Sequence, residues 1–223
     1  GKDAVYPQIQ ENPEGSVQEN WKQLFDEIQF LNSNETIKFL NIIYPPKVNE
    51  LYEISYIYKE GSFKTPNEYG HYDSIRSNQI PLHEISDKLY VINDIFEEED
   101  LYKSIIIDPA GSAFQNNSTN YSGSGLSGAI YGKFNMKTHT LTPIKTGSAK
   151  IGTFDFKKQI KGMIHAVGPL GKIITDTKKF IILLNNTIDS IIEIIKTMKD
   201  SNIHFRIPLI SAGIYECKAL DKT

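Results

Sequence analysis

The sequence contains one cysteine, Cys217, among its 223 residues. A single cysteine excludes an internal disulfide and is typical of proteins from a reducing compartment. The chain has no run of about 18 apolar residues, the length that a membrane-spanning helix needs, and no apolar N-terminal segment typical of a signal peptide. Its formal net charge of −3 gives no electrostatic reason to expect general nucleic-acid binding. These absences predict an intracellular, cytoplasmic protein without a membrane partner.

The five histidines are scattered and do not predict a metal site. His83-Glu84 begins like a zinc-binding helix motif, but the position of the second histidine is occupied by Asp87. His165 and His204 lie in apolar runs, where we expect hydrogen-bonded core histidines. We therefore predict no metal and no cofactor.

The most informative stretch is 104–135. Its β-branched run 105–107 predicts a buried strand, which ends at Asp108 and Pro109. The glycine-rich segment 123–128 then precedes small residues that can begin a helix. Glycines let a ligand approach the backbone, and the first N–H groups of a helix point at anions. We predict that this loop binds a phosphate or pyrophosphate.

The flanking segments predict alternating helices and strands. A capping-box sequence at 16–19 begins an amphipathic helix with Trp21, Phe25 and Ile28 on its apolar face. A further helical turn or two is predicted at residues 37–43. Other strands are predicted at 51–58, 88–93, 163–167 and 203–210, and a long helix follows the capping residues 175–177.

This order predicts an α/β fold whose ligand lies at the carboxyl ends of the strands. Gly123, Gly125 and Gly128 also match the G-x-G-x-x-G pattern of a Rossmann-type dinucleotide site, which is the first alternative. However, about fourteen residues separate Asp108 from Gly123, whereas the first glycine of that pattern follows its strand directly. The other interpretation, in which these glycines are only loop punctuation, does not account for a second small-residue loop at 211–215.

Several strings together resemble the macro domain, the ADP-ribose-binding module. Residues 91–95, VINDI, resemble the element whose aspartate receives the adenine amino group, and 106–111, IIDPAG, lie where the family has V-N-A-A-N. Residues 123–130, GSGLSGAI, resemble the diphosphate loop. MIHAVGP at 163–169 and PLISAGIY at 208–215 are close to family strings, the latter especially to those of positive-strand RNA viruses and also of bacteria.

The resemblance implies a three-layer α/β/α sandwich with a mixed central sheet. We expect residues 47–223 to form this domain and residues 1–46 a helical extension. Family members usually add a helix and a closing strand after the last string, and strand 51–58 is our candidate to fill that place. The implied ligand-binding residues are Asp94, Ile95, Ala110, Gly123, Ser124, Gly125, Leu126, Ser127, Ser211, Ala212, Gly213, Ile214 and Tyr215.

The departures from the family bear on catalysis. Asp108 and Gly111 replace the two asparagines of N-A-A-N, and Ser127 stands where many family hydrolases have an acid. Asp108 is then the first candidate for a catalytic carboxylate and Glu216 the second. The resemblance leaves open an ADP-ribosyl hydrolase with a non-standard carboxylate, a non-catalytic reader of ADP-ribosylated proteins, and a degenerate fold used for protein interaction. If the source is a virus or a bacterial effector, the expected location is the host cytosol.

Overall fold

Seven strands form one mixed sheet in the computed structural model. The structure describes residues 15–32, 38–43, 79–81, 86–92, 94–111, 125–136, 143–199 and 202–212. The strands are β1 (Lys38–Ile43), β2 (Gln79–Pro81), β3 (Leu89–Ile92), β4 (Ser104–Pro109), β5 (Ser148–Ile151), β6 (Gly162–Val167) and β7 (Ile203–Pro208). Their order across the sheet is β2-β3-β1-β7-β4-β6-β5. The predicted strands at 88–93, 105–107, 163–167 and 203–210 correspond to β3, β4, β6 and β7, and the last of them ends two residues earlier than predicted.

The five inner strands run parallel, and the two edge strands are antiparallel to their neighbours. In register, Leu40 of β1 lies opposite Leu89 of β3 and Phe205 of β7, and Ile106 of β4 lies opposite Met163 of β6. The carboxyl ends of β3, β1, β7, β4 and β6 therefore meet at one edge of the sheet. The turns that follow these strands can contribute to one site there.

Helices cover both faces of the sheet. Helix α1 (Gly15–Glu27) continues into a 3-10 turn (Ile28–Asn32) and packs with α3 (Thr177–Thr197) on one face, where Phe25, Ile28 and Leu184 are buried. Helix α2 (Gly125–Lys133) packs on the other face through Ile130 and Tyr131. Asp176 caps α3 by accepting a hydrogen bond from the Lys179 N–H. This is the predicted α/β/α sandwich, with three layers and a mixed sheet.

The helical turns predicted at residues 37–43 are wrong, because residues 38–43 form strand β1. Four of its six residues are buried, so the strand is covered on both faces. A central parallel strand of this kind lacks the alternation that marks a half-exposed strand. Ile37, Leu40 and Ile43 also match the spacing of a helix.

The predicted boundary at 46/47 stays a prediction, although β1 on its N-terminal side pairs with both β3 and β7. The predicted strand 51–58 lies outside the described residues. Two short strands, β2 and β5, were not predicted from the sequence. No helix in the described segments is long and apolar enough to cross a membrane.

Candidate functional site

A buried polar cluster lies beneath the first turn of α2. Asp108, near the carboxyl end of β4, is 0% exposed. Its Oδ1 accepts a hydrogen bond from the Ser127 hydroxyl at 2.6 Å, and its Oδ2 lies 2.7 Å from Nδ1 of the buried His165 on β6. One carboxylate thus connects two strands to the start of a helix. The expectation of a hydrogen-bonded core histidine is confirmed for His165.

The cluster holds the glycine-rich helix start in place. Helix α2 begins at Gly125, whose φ of +65° lies in the left-handed region that glycine adopts without steric cost. Gly125 is exposed, Leu126 is half-buried, and Ser127 is buried against Asp108. The first N–H groups of a helix have no partner within the helix, so this turn can offer donors to an anion. Gly123 and Ser124 lie outside the described residues.

The loop after β3 carries the candidate adenine acceptor, Asp94. Its carboxylate is exposed, and Oδ1 accepts a hydrogen bond from the Phe96 N–H at 2.8 Å. Ile95, the next residue, is buried in the core cluster under α2. The aspartate is therefore held at the surface next to a residue that is anchored in the core.

Arg206 of β7 fixes this loop from below. Its guanidinium, in a residue only 1% exposed, donates to the backbone oxygens of Ile95 (2.8 Å), Glu97 (2.6 Å) and Glu99 (2.6 Å). Burial lowers the pKa of Arg206, and the nearby Glu97, Asp100 and Asp94 carboxylates oppose that shift. Sequence reasoning missed this residue. The available signal was one arginine inside the otherwise apolar strand IHFRIP.

The loop after β7 packs closely on the end of β6. Ser211 has a φ of +54°, and its hydroxyl donates to the Pro169 carbonyl at 2.7 Å. A Cβ placed on Gly168 would lie 2.5 Å from both Ile210 Cγ2 and Ser211 Oγ, so glycine is needed for this approach. The buried Asn20 of α1 holds the same loop through both backbone groups of Ile210. Sequence reasoning also missed Asn20.

The structure therefore brings several predicted site residues to one edge of the sheet. Asp94 follows β3, Asp108 and Ala110 lie at the end of β4, and Ser211 and Ala212 follow β7. Ala110 is buried and its N–H donates to the Ala166 carbonyl of β6. The predicted residues Gly213, Ile214, Tyr215 and Glu216 lie outside the described residues.

Two further findings bear on alternative sites. A surface cleft of about 480 Å³ between Tyr102, Phe154 and Lys161 lies at the amino ends of β4 and β6, away from the predicted residues. Within the segments that the structure describes, no three His, Cys, Asp or Glu side chains are grouped to hold a metal ion.

One comparison with known proteins finds a family. Residues 115–222, a little under half of the chain, match the family model of the Macro domain, and this match supports a macro domain. No curated protein and no solved structure matches the chain. Macro domains generally bind ADP-ribose. The match begins after β4, and the remaining strands of the sheet place Asp94 and Asp108 beside the matched region.

Proposed function

We propose that the chain binds ADP-ribose and acts as a reader of ADP-ribosylated proteins rather than as a hydrolase. In this proposal Asp94 accepts the adenine amino group, and the first turn of α2 donates backbone N–H groups to the diphosphate. The loop that begins at Ser211 closes the other side of the diphosphate, and Tyr215 packs on the distal ribose.

The observation that carries the reader role is the state of Asp108. A general base must come within hydrogen-bond reach of the water or hydroxyl that it deprotonates. Asp108 is 0% exposed, and each of its oxygens already has a partner, Ser127 or His165. This arrangement supports a structural role, in which the carboxylate positions the phosphate-binding helix.

The substitutions in the macro-like strings support the same role. Gly111 has no amide side chain to orient a ribose or a water, and Ser127 has no acid. The Ser127 hydroxyl also donates its hydrogen bond to Asp108, which favours a structural role for this residue and not that of a general base.

One observation favours the second candidate, a hydrolase acting on a linkage other than glutamate esters. Asp108 and His165 form a carboxylate–imidazole pair 2.7 Å apart, a combination that can move protons when a substrate reaches it. In that case Asp108, with Glu216 next, supplies the catalytic carboxylate, and activity should fall at least about a hundredfold in Asp108→Ala.

Calorimetry with ADP-ribose tests binding. We expect ADP-ribose to bind while free adenosine and phosphate compete poorly, since the site needs the base and diphosphate contacts together. Asp94→Ala should weaken binding by about 1.5–3 kcal/mol, the range for a hydrogen bond to a charged group. The exposed Asp155→Ala is the matched control and should bind normally. If ADP-ribose produces neither heat nor a thermal shift at millimolar concentration, the proposal fails.

Release assays then separate the two roles. Proteins carrying ADP-ribose on glutamate, serine or arginine are incubated with the chain, and free ADP-ribose is measured. A reader binds ADP-ribose and releases none from any linkage. Turnover that disappears in Asp108→Ala, with ADP-ribose binding retained, would replace the reader with the hydrolase.

A further inference from the structure

We infer that Asn20 of helix α1 is a positioning residue of the ligand site, because it holds the loop that forms the second wall of the diphosphate pocket. The inference rests on the proposed function, in which the loop beginning at Ser211 contacts the diphosphate. From the sequence, α1 is expected only to pack on the domain.

The contact is a two-way hydrogen bond between residues 190 positions apart. The Asn20 side-chain amide donates to the Ile210 carbonyl at 2.7 Å, and its oxygen accepts from the Ile210 N–H at 2.7 Å. Asn20 is 0% exposed, so water cannot replace these bonds without opening the interface between α1 and the sheet. The pair satisfies both backbone groups of the residue directly before Ser211.

Asn20 restrains this loop from the α1 side. Toward β6, the loop is held by the Ser211 hydroxyl on Pro169 and by the close approach to Gly168. Ser211 then has to keep a left-handed backbone, with φ at +54°, which a serine adopts less readily than a glycine. Restraints on both sides hold this conformation in the free protein, which lowers the ordering cost of binding. Helix α1 therefore contributes to ligand affinity without touching the ligand.

Gln23, one turn further along α1, provides a matched control. Its side-chain amide donates to Asp189 of α3 at 2.6 Å, so it joins α1 to another helix and not to the loop. Asn20→Ala and Gln23→Ala thus each remove a side-chain amide that holds α1. Only the first removes support from the loop.

The experiment compares the two variants of the full chain with ADP-ribose and AMP in calorimetry. AMP reaches the adenine side through Asp94 but lacks the second phosphate and the distal ribose that the 211–215 loop would contact. We expect Asn20→Ala to weaken ADP-ribose binding about tenfold or more. A tenfold loss is expected if the loop of the variant adopts the binding conformation in only about a tenth of the molecules. AMP binding should stay within about twofold. Both affinities should also stay within about twofold in Gln23→Ala, since the effects of substitutions at distant sites without shared partners are largely independent.

Amide hydrogen exchange gives a readout that does not depend on ligand. The Ile210 N–H should lose protection in Asn20→Ala and keep it in Gln23→Ala. If Asn20→Ala does not fold, Asn20→Asp replaces it, because aspartate keeps the acceptor for the Ile210 N–H and puts a carboxylate oxygen against the Ile210 carbonyl. Asn20→Asp should then show the same selective loss of ADP-ribose affinity.

The outcomes separate the two proposals. If the unmodified chain binds no ADP-ribose, the proposed function fails, and with it the ligand-site role of Asn20. If the unmodified chain binds ADP-ribose and the Asn20 variants bind it equally well, only the positioning role is overturned. An equal loss for ADP-ribose and AMP would also overturn it, since a purely structural residue lowers both.

Discussion

Replacing Asp108 with asparagine separates a structural carboxylate from a catalytic one. Asparagine has nearly the same shape and keeps one oxygen acceptor. Its amide N–H₂ can donate to the Ser127 oxygen, or to His165 Nδ1 in the tautomer that leaves this nitrogen free. We therefore expect Asp108→Asn to fold with both contacts kept and the charge lost.

The expected loss of stability follows from those two contacts. A hydrogen bond to a charged group contributes about 1.5–3 kcal/mol and a neutral one about 0.5–1.5 kcal/mol, so two bonds lose about 2–3 kcal/mol together. Removing a fully buried charge returns part of this, because its desolvation cost disappears as well. The free energy of unfolding should then fall by about 1–3 kcal/mol in Asp108→Asn. In Asp108→Ala it should fall by about 3–5 kcal/mol, the range for breaking a buried pair.

Urea unfolding and calorimetry test this reasoning. The control is Asp155→Asn, an exposed aspartate in a surface turn, which should change the free energy of unfolding by no more than about 0.5 kcal/mol. ADP-ribose affinity should fall in Asp108→Asn, since a neutral side chain holds Ser127 and the first turn of α2 by a weaker hydrogen bond than the carboxylate does. If Asp108→Asn is as stable as the control and binds ADP-ribose normally, the structural role of Asp108 is refuted. A catalytic role would then regain support.

Three further substitutions test the loops and helices around the site. Arg206→Met should lower the free energy of unfolding by about 2–4 kcal/mol, because three loop carbonyls lose their charge-assisted donors, and ADP-ribose affinity should fall as well. Arg206→Lys cannot reach all three carbonyls, so it should restore only part of the stability and part of the affinity. In urea unfolding, Gly168→Ala should lower the free energy of unfolding by about 1–3 kcal/mol, because the new Cβ would collide with Ile210 and Ser211. Gly132→Ala, which has open space around it, should raise the free energy of unfolding by up to about 1 kcal/mol. Equal effects of the two substitutions would contradict the close approach at Gly168. The pKa of Glu27 is raised to about 7, first by burial and then by Asp189, with Glu193 adding to the rise and Lys196 opposing it. The folded state therefore binds more protons than the unfolded state between about pH 4.5 and 7, and this contribution to stability is lost as pH rises through that range. In melting curves recorded across this pH range, Glu27→Gln should abolish the decrease in stability with rising pH, and the control Asp26→Asn, at an exposed position, should retain the decrease. An unchanged pH profile in Glu27→Gln would exclude Glu27 as the source of the decrease.

The sheet could be predicted where local pattern and final burial agree. Strand β4 is a β-branched run that is fully buried in its first five residues, and α3 has an apolar stripe together with a capping aspartate. The prediction for β1 failed because a short central strand that is covered on both faces lacks the alternation of apolar and polar residues that marks a half-exposed strand. Strands β2 and β5 were not predicted for a different reason. One has only three residues, and the other has one buried residue, Ala149, so neither carries a strong apolar signal.

Individual residues of the candidate site could be predicted from the sequence, but the contacts between them could not. Asp94 and the glycine-rich loop lie in strings that resemble a family, so their positions could be inferred from the sequence. The partners of the buried polar groups that fix those strings could not be inferred in this way. Asn20 contacts Ile210 across 190 positions, Arg206 contacts Ile95 across 111, and His165 contacts Asp108 across 57. No local pattern encodes these pairings, because they arise only when parallel strands align their carboxyl ends.

These pairings show that the three loops of the candidate site are held in place in the same way. Each loop that is expected to meet the ligand is fixed by one buried polar side chain from another element: Arg206 for the loop after β3, Asp108 for the start of α2, and Asn20 for the loop after β7. None of the three is exposed by more than 1%. A buried polar group is costly unless its partners are in place, so each pairing favours a single loop position over the alternatives. Loops restrained in this way need little further ordering when they bind, which suits the proposed binding of a diphosphate through backbone N–H groups.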